Sequence, residues 1–241
     1  MDKTLIGLYK NFFIVGHRGA SAYEPENTML SVRKAFEMGA DAVEVDARVS
    51  NDGYVVIIHD ETVDRTTNGS GAVSDLSLEE IRALDAGKSE KIPLLEEVLE
   101  EVRDKGCLFL EIKVKEAAIP SLEIVEGREM LDSVLFISFS SDTLYSIKKA
   151  SKESHIGLLY IKPVDGIVGA KRLGCEAVLP YYRLATQKAI AFAHRLKLKV
   201  IPWTVDELKT AIELKKRGVD GIATNRPDLM AELRSQRHCL T

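Results

Sequence analysis

The sequence contains few cysteines, no long apolar run and no surplus of positive charge, and each absence argues against a class of protein. Its three cysteines, Cys107, Cys175 and Cys239, lie far apart and form no Cys-x-x-Cys pair, so neither a disulfide framework nor a zinc site is indicated. No stretch approaches the roughly 18 apolar residues that a membrane-spanning helix needs. The net charge of -4 argues against nucleic acid as a partner, because proteins that bind it usually carry excess Lys and Arg.

The N-terminal residues also lack the features of an export signal. Their apolar run, Phe12–Val15, is too short for the apolar core of a signal peptide, and no small-residue cleavage site accompanies it. Buried or incidental thiols, the interpretation that remains, suit a reducing cytosol. We therefore expect a soluble cytoplasmic protein with no membrane span, whose partner is a small-molecule substrate. The sequence leaves open whether copies of the chain form a homo-oligomer.

Short apolar runs alternate with segments of helical periodicity along the whole chain. Eight of these runs predict strands, at Phe12–Val15, Ala42–Val49, Cys107–Val114, Val134–Phe139, His155–Tyr160, Ala177–Tyr181, Lys199–Thr204 and Gly221–Ala223. The helical pattern is least clear over 116–130, where Pro120 and Gly127 interrupt it. Eight strand–helix units in 241 residues predict an α/β fold, a closed TIM (β/α)8 barrel. An open doubly wound sheet is the alternative.

One connection in this pattern is longer than the others. After the second strand, Tyr54–Ile58 predicts a further strand behind the turn Asn51-Asp52-Gly53. A loop over 64–71 and a helical pattern near Leu78–Leu84 follow. We therefore predict one domain spanning 1–241, with a small inserted subdomain, 51–92, between the second and third barrel strands. Structured insertions of this kind at the top of a barrel often shape the substrate pocket.

Two predicted strands carry charge on a face that should be apolar. Side chains alternate between the two faces of a strand, so Glu44 and Asp46 face the sheet interior, as Glu111 does in the later strand. Three buried carboxylates need compensation, and their oxygen ligands suit Mg²⁺ or Ca²⁺ better than zinc. The alternative is a buried ion-pair network with three cationic side chains, Arg18, Arg48 and Lys113.

Two histidines stand at strand ends beside charged neighbours, His17 before Arg18 and His59 before Asp60. Histidine titrates near neutrality, so one imidazole can hold a proton while the other lacks it, and we predict a general acid–base pair. Arg18 and Lys113 are cations suited to an anionic substrate and its transition state. With a divalent cation, these groups predict attack on a phosphate ester.

Other polar residues receive local interpretations. The remaining histidines, His155, His194 and His238, lack a comparable setting and are interpreted as structural or surface residues. Asn27 is predicted to cap the helix that begins at Thr28, and Asp206 is predicted to cap the next-to-last helix of the chain.

Short motifs follow one another in a fixed order along the chain. The first half contains Gly16-His17-Arg18-Gly19, Pro25-Glu26-Asn27-Thr28, Gly39-Ala40-Asp41, Glu44-Val45-Asp46, Asp52-Gly53, His59-Asp60, Arg65-Thr66-Thr67-Asn68-Gly69 and Glu111-Ile112-Lys113. The second half continues with Ser138-Phe139-Ser140, Trp203-Thr204-Val205 and Gly218-Val219-Asp220-Gly221-Ile222. A lone His-Arg-Gly would be a weak signal, whereas this ordered set is highly specific and closely resembles the glycerophosphodiester phosphodiesterase family.

The resemblance implies a TIM barrel that hydrolyses glycerophosphodiesters to sn-glycerol 3-phosphate and an alcohol. It implies that His17 and His59 are the general acid and base. It also implies a divalent metal, usually magnesium or calcium, on three ligands, Glu44, Asp46 and Glu111.

In the same family the residues matching Arg18 and Lys113 contact the phosphate. The stretch after His59 resembles the family's small inserted subdomain, which helps to form the substrate cleft. Trp203, at a strand end, is predicted either to line the glycerol or headgroup pocket or to act only as an aromatic packing plug.

The sequence departs from the family pattern late in the chain. Ser140 stands where an acidic or amide residue is frequent, and Asn225 replaces the Asp of the usual Thr-Asp-x-Pro. We expect Asn225 to change local hydrogen bonding without loss of chemistry. Three rival functions remain: a phospholipase D-like lyase that releases a cyclic phosphate, a non-catalytic phosphodiester-binding or scaffold protein, and a sugar-phosphate isomerase. The absence of a clear Gly-rich phosphate loop after the seventh or eighth strand weakens the last.

Overall fold

The structure is a computed structural model that describes residues 3–162 and 166–235, without the side chains of residues 234 and 235. Its strands are β1 (Phe13–His17), β2 (Ala42–Val49), β3 (Val55–Ile57), β4 (Cys107–Ile112), β5 (Val134–Ser138), β6 (His155–Tyr160), β7 (Ala177–Pro180), β8 (Lys199–Val200) and β9 (Gly221–Thr224). Its helices are α1 (Leu5–Leu8), α2 (Met29–Glu37), α3 (Leu78–Ala83), α4 (Leu95–Val102), α5 (Ala118–Gly127), α6 (Ser141–Ala150), α7 (Gly166–Leu173), α8 (Gln187–Arg195), α9 (Leu208–Arg217) and α10 (Pro227–Ser235). The helical periodicity of the sequence also predicts a helix over Asp165–Leu173. Its first residue, Asp165, lies outside the described residues, as do His238 and Cys239.

Parallel strands with helices between them form a nearly closed barrel in the order β8-β7-β6-β5-β4-β2-β1-β9. Backbone hydrogen bonds bridge the gap between β8 and β9. The Asp220 N–H donates to Val200 O at 3.0 Å, and the Ala223 N–H donates to Pro202 O at 3.0 Å. The predicted TIM barrel is confirmed, and the alternative of an open doubly wound sheet is wrong.

Each barrel strand sends alternate side chains into two different cores. In β2, Val43 and Val45 pack outward against the helices, while Ala42 faces the barrel interior. Large apolar side chains fill the lower interior, namely Phe13, Phe109, Leu135, Ile137, Leu159, Leu179 and Ile201. Leu5 of α1 joins this cluster, so the first helix packs onto the end of the barrel where the strands begin. Along β2 and β4 the interior-facing residues change from the apolar Ala42 and Phe109 to Glu44, Asp46 and Glu111 further towards the C-terminal ends of the strands.

The helix over 118–127 shows why its interrupted pattern still folds. Pro120 is the third residue of α5, where its missing N–H would have had no acceptor within the helix. Gly127 is the last residue of the helix. Among the helices within the described ranges, none combines the length and the apolar content that crossing a lipid bilayer requires.

Two predicted helix caps are wrong. Thr28, not Asn27, caps α2, and its Oγ1 accepts from the Ser31 N–H at 3.2 Å. Asn27 has a positive φ of 57°, and its side-chain amide does not cap the N-terminus of α2. Likewise Glu207, not Asp206, is the N-cap of α9, and its side chain accepts no capping hydrogen bond from a helix N–H. The Asp206 carboxylate instead accepts hydrogen bonds from residues 224 and 225.

The segment between β2 and β4 has a hydrophobic cluster of its own. Its strand β3 pairs antiparallel with β2, and a capping box between Ser77 and Glu80 begins α3. The cluster consists of Val56, Ile58, Val63, Val73, Ile81, Ala86 and Ile92. The insertion thus lies between the second and third barrel strands as predicted, while the subdomain boundaries 51–92 stay a prediction.

Replacing Ile81 by Ala tests how much this second cluster contributes to stability. Ile81 is 0% exposed, so we expect the variant to lose about 2 to 5 kcal/mol of unfolding free energy through lost burial and the cavity left behind. Urea unfolding followed by circular dichroism measures the loss. Ile6, 68% exposed, provides the matched control: its change to Ala should alter stability by less than about 0.5 kcal/mol. Equal stability of both variants would contradict the packing described.

Candidate active site

Strand register brings the predicted acidic residues to the top of the barrel. In the parallel pairing, Asp46 of β2 lies opposite Glu111 of β4, and Glu44 lies opposite His17 of β1. The three acids are buried, with 4% of Glu44, 1% of Asp46 and 9% of Glu111 exposed. One carboxylate oxygen from each lies within 4.8 Å of the others. The structure therefore gathers all three proposed metal ligands in one cluster.

Two of the three candidate cations contact this cluster. The Lys113 ammonium donates to Glu111 Oε1 at 2.8 Å and lies 3.5 Å from Asp46 Oδ1. The Arg18 Nε lies 3.4 Å from Asp46 Oδ2, and its backbone N–H donates to Glu44 Oε2 at 3.0 Å. Arg48 donates instead to the His59 carbonyl oxygen at 3.0 Å. An ion-pair network is thus present, formed by Arg18 and Lys113.

This network does not neutralise the cluster. Burial, together with the charge of Asp46, raises the pKa of Glu44 to about 8 and that of Glu111 to about 7. Burial also opposes ionisation of Asp46, but Lys113 and Arg18 outweigh it and lower the pKa of that carboxyl. Asp46 is therefore the most readily ionised of the three carboxyls, and additional positive charge favours ionisation of Glu44 and Glu111.

Two carboxylate oxygens in the cluster are available to a ligand. Glu44 Oε1 and Asp46 Oδ1 are buried, and neither has a hydrogen-bond partner among the described residues. Buried polar atoms left in this state are costly. Hard oxygen donors at this spacing suit Mg²⁺ or Ca²⁺. The residues present therefore fit a divalent cation.

His17 is the last residue of β1, and each of its two ring nitrogens lies near a side-chain oxygen. Its Nδ1 lies 2.7 Å from Asn225 Oδ1, and its Nε2 lies 3.9 Å from Glu44 Oε2. Burial, and next the neighbouring charge of Arg18, lower the pKa of this imidazole. The ring is therefore biased towards its neutral form, with Nε2 directed to the carboxylate cluster.

His59 is held from the insertion by a chain of ion pairs. Its Nδ1 lies 2.6 Å from Asp60 Oδ1, and Arg65 donates to Asp60 and, through two nitrogens, to Glu26. Glu26 also accepts from Arg18 at 2.9 Å. The Arg65 guanidinium holds the pKa of Asp60 well below its usual range, and His59 adds to this effect. The chain connects His59 with the loop that follows β1.

Asn27 belongs to the site, although its sequence position suggested a helix cap. It is buried, its amide nitrogen donates to Asp46 Oδ2 at 2.8 Å, and its amide oxygen accepts from the Asp46 N–H at 3.2 Å. Asn tolerates the positive φ that this geometry needs. The sequence signal against Asn27 as the helix cap was Thr28, which follows it directly and is itself a good N-cap residue.

Trp203 and Ser140 each have defined local partners. The Trp203 indole N–H donates to Leu179 O at 2.8 Å, and the ring packs edge-on against Phe139 at 5.6 Å between centroids. Trp203 thus has a packing role, and its contact with substrate stays a prediction. Ser140 is the N-cap of α6 and accepts from the Thr143 N–H at 3.2 Å.

A barrel whose mouth combines two histidines, three carboxylates and two cations has the groups needed to cleave a phosphate diester. The sequence model of the glycerophosphoryl diester phosphodiesterase family matches residues 17–229. The chain therefore belongs to this family.

Individual relatives and solved structures agree with this membership. A glycerophosphodiester phosphodiesterase of Caldanaerobacter subterraneus subsp. tengcongensis is 37% identical over 234 residues, which cover 91% of this chain and 96% of the relative. An Oleispira antarctica phosphodiesterase in complex with the product sn-glycerol-3-phosphate has a TM-score of 0.88 at 28% identity, with 93% of this chain and 97% of that chain covered. For a glycerophosphodiester phosphodiesterase from Thermotoga maritima the TM-score is 0.79 at 28% identity, with 93% and 99% covered. The predicted family and enzyme class are confirmed.

Replacing Asn27 by Gly tests its support of the acidic cluster. Glycine accepts the positive φ, so the substitution removes the amide without adding backbone strain. We expect a loss of about 1 to 3 kcal/mol in unfolding free energy, because the Asp46 N–H and carboxylate lose their partners. Urea unfolding measures the change. A variant as stable as the parent would show that these buried bonds contribute nothing.

Proposed function

We propose that the protein hydrolyses glycerophosphodiesters to sn-glycerol 3-phosphate and an alcohol. In this proposal His17 and His59 exchange protons with the substrate, while Glu44, Asp46 and Glu111 hold a divalent cation, Mg²⁺ or Ca²⁺. The observation that carries it is the convergence of three buried carboxylates within 4.8 Å beside His17. The product bound to the Oleispira antarctica relative, sn-glycerol-3-phosphate, supports the choice of substrate class.

Arg18 and Lys113 bind the anionic phosphate in this proposal. Both are held against the acidic cluster, Arg18 by Asp46 and Glu26 and Lys113 by Asp46 and Glu111. Fixed cations of this kind stabilise negative charge without reorganising during the reaction. When bound to the three carboxylates, the metal ion supplies further positive charge for the phosphate oxygens.

The two imidazoles divide the proton transfers between them. Each uses Nδ1 for a protein hydrogen bond, His17 to Asn225 and His59 to Asp60, which leaves Nε2 for the substrate. One Nε2 takes the proton of the nucleophile, and the other Nε2 donates a proton to the departing alcohol oxygen. The nucleophile is water, or the adjacent glycerol hydroxyl in a route through a cyclic phosphate.

We further propose that the enzyme works in the cytoplasm. Cys107 and Cys175 are buried thiols, and burial raises the pKa of Cys175 to about 12. Buried thiols of this kind are typical of proteins in reducing compartments. Fractionation of the source cells with an antibody against the chain tests this assignment.

Removing either catalytic histidine tests the proposed function. We expect His17→Ala and His59→Ala each to lower turnover at least about 100-fold, because each loses a proton-transfer group. The assay follows release of glycerol 3-phosphate from glycerophosphocholine, -ethanolamine, -glycerol and -inositol, and ³¹P NMR separates a cyclic product from the hydrolysed one. The control is His194→Ala, whose ring pairs with Asp220 away from the site. Turnover near that of the parent in either catalytic variant would refute the assignment.

Removing the metal tests the role of the acidic cluster. We expect EDTA to abolish turnover and Mg²⁺ or Ca²⁺ to restore it. Because Glu44 and Glu111 have pKa values of about 8 and about 7, cation binding at pH 7 should also release protons and strengthen as pH rises. Calorimetric titration in buffers of different ionisation enthalpy measures this release.

The matched pair for the metal experiment is Asp46→Asn and Glu100→Gln. The Glu100 side chain is 67% exposed and lies on α4, so its change should leave cation binding intact, whereas Asp46→Asn should remove it. Full activity without a divalent cation, or equal cation affinity in both variants, would remove the metal from the proposal.

A further inference from the structure

We propose that Asn225, held in place by Asp206, is a positioning residue that fixes which nitrogen of His17 carries the proton. The inference rests on the proposed function, in which His17 acts through Nε2. It concerns two residues outside the cluster of carboxylates and cations described above. It starts from strand pairing, since Thr224 of β9 lies opposite Gly16 of β1, which brings Asn225 beside His17.

Asp206 determines the orientation of the Asn225 amide. Its Oδ1 accepts from the Asn225 backbone N–H at 2.8 Å and from the Thr224 hydroxyl at 3.0 Å, and its Oδ2 lies 2.7 Å from Asn225 Nδ2. An ionised carboxylate accepts hydrogen bonds and donates none. The NH₂ group of the amide must therefore face Asp206, and the amide oxygen must face the opposite way.

The amide oxygen in turn determines the proton position on His17. Asn225 Oδ1 lies 2.7 Å from His17 Nδ1 and 2.7 Å from the Ser21 hydroxyl oxygen. An amide oxygen is only an acceptor, so His17 Nδ1 must carry the proton. The neutral ring then has its lone pair at Nε2, the nitrogen that lies 3.9 Å from Glu44. This is the tautomer that a base acting through Nε2 requires.

The Asn225 side chain makes hydrogen bonds that are not needed to anchor the end of β9. The Asp206 bonds to Thr224 and to the Asn225 backbone hold the end of β9 without any side chain at residue 225. The Asn225 side chain adds one bond to Asp206, one to His17 and one from the Ser21 hydroxyl. An aspartate at 225 would place a second carboxylate 2.7 Å from Asp206, so Asp206 and Asn225 are matched as acceptor and donor.

The first measurement needs no substitution. In the intact ¹⁵N-histidine-labelled protein at pH 8, the ring-nitrogen shifts of His17, assigned by their loss in His17→Gln, report the tautomer directly. We expect a protonated Nδ1 and an unprotonated Nε2, with Mg²⁺ absent or present. A protonated Nε2, or a mixture of tautomers, would overturn the inference.

Variants then separate positioning from structural support. Asp206→Asn permits the residue-225 amide to turn over, so we expect a mixed tautomer at His17 and a fall in kcat of at least about tenfold with KM changed much less. Combining Asp206→Asn with Asn225→Asp places a carboxylate acceptor at residue 225, facing His17 Nδ1, and an amide donor at residue 206, facing that carboxylate. The double variant should recover the Nδ1–H tautomer and most of kcat. Asn51→Asp, in the exposed turn before β3, is the control and should change neither.

These outcomes distinguish the inference from the proposed function. An unchanged tautomer and kcat in folded Asp206→Asn, checked by circular dichroism, would refute positioning by Asp206 even if His17 is essential. Parent-like turnover in His17→Ala would refute the acid–base role, while the NMR measurement would still decide the tautomer.

Discussion

The burial of three carboxylates within 4.8 Å of one another is the electrostatic constraint on which the whole site depends. Like charges this close cannot all ionise without compensation, and Arg18 and Lys113 supply only part of it. Two oxygens have no hydrogen-bond partner among the described residues, which is why the cluster suits a cation. The strands that carry these carboxylates also contribute Ala42 and Phe109 to the apolar cluster of the barrel interior.

The two histidine rings are oriented through the same nitrogen by two different kinds of partner. Both rings bond to protein through Nδ1, His17 with an amide and His59 with a carboxylate, and so neither uses Nε2 for that bond. His17 belongs to the barrel, whereas His59 follows the strand of the insertion. Glu26 joins these parts through Arg18 and Arg65. Exposed ion pairs of this kind add little stability, but they orient the groups that they connect.

Much of the fold was readable because its signals are local. Most barrel strands and the additional strand of the insertion were predicted close to their observed positions, since each depends on short-range periodicity. The exception is the strand predicted over Lys199–Thr204, which the structure limits to Lys199–Val200. The segment 116–130 was unclear because Pro120, in the first helical turn, and Gly127, at the helix end, both look like helix breakers in the sequence. Packing of α1 through Leu5 into the barrel was not predicted, since a single turn of helix has no periodicity that shows its partner.

The sequence by itself determined which way the charged residues of β2 and β4 point, because alternation along a strand places Glu44, Asp46 and Glu111 opposite their apolar neighbours. Only the tertiary structure decided the partners of Asn27, Asp206 and Asn225. Asn and Asp side chains can cap a nearby helix or bind a distant group with similar energies, so local sequence does not choose between them. The assembled barrel chooses, by bringing Asn225 against His17 across 208 positions of chain and Asn27 against the buried backbone of Asp46.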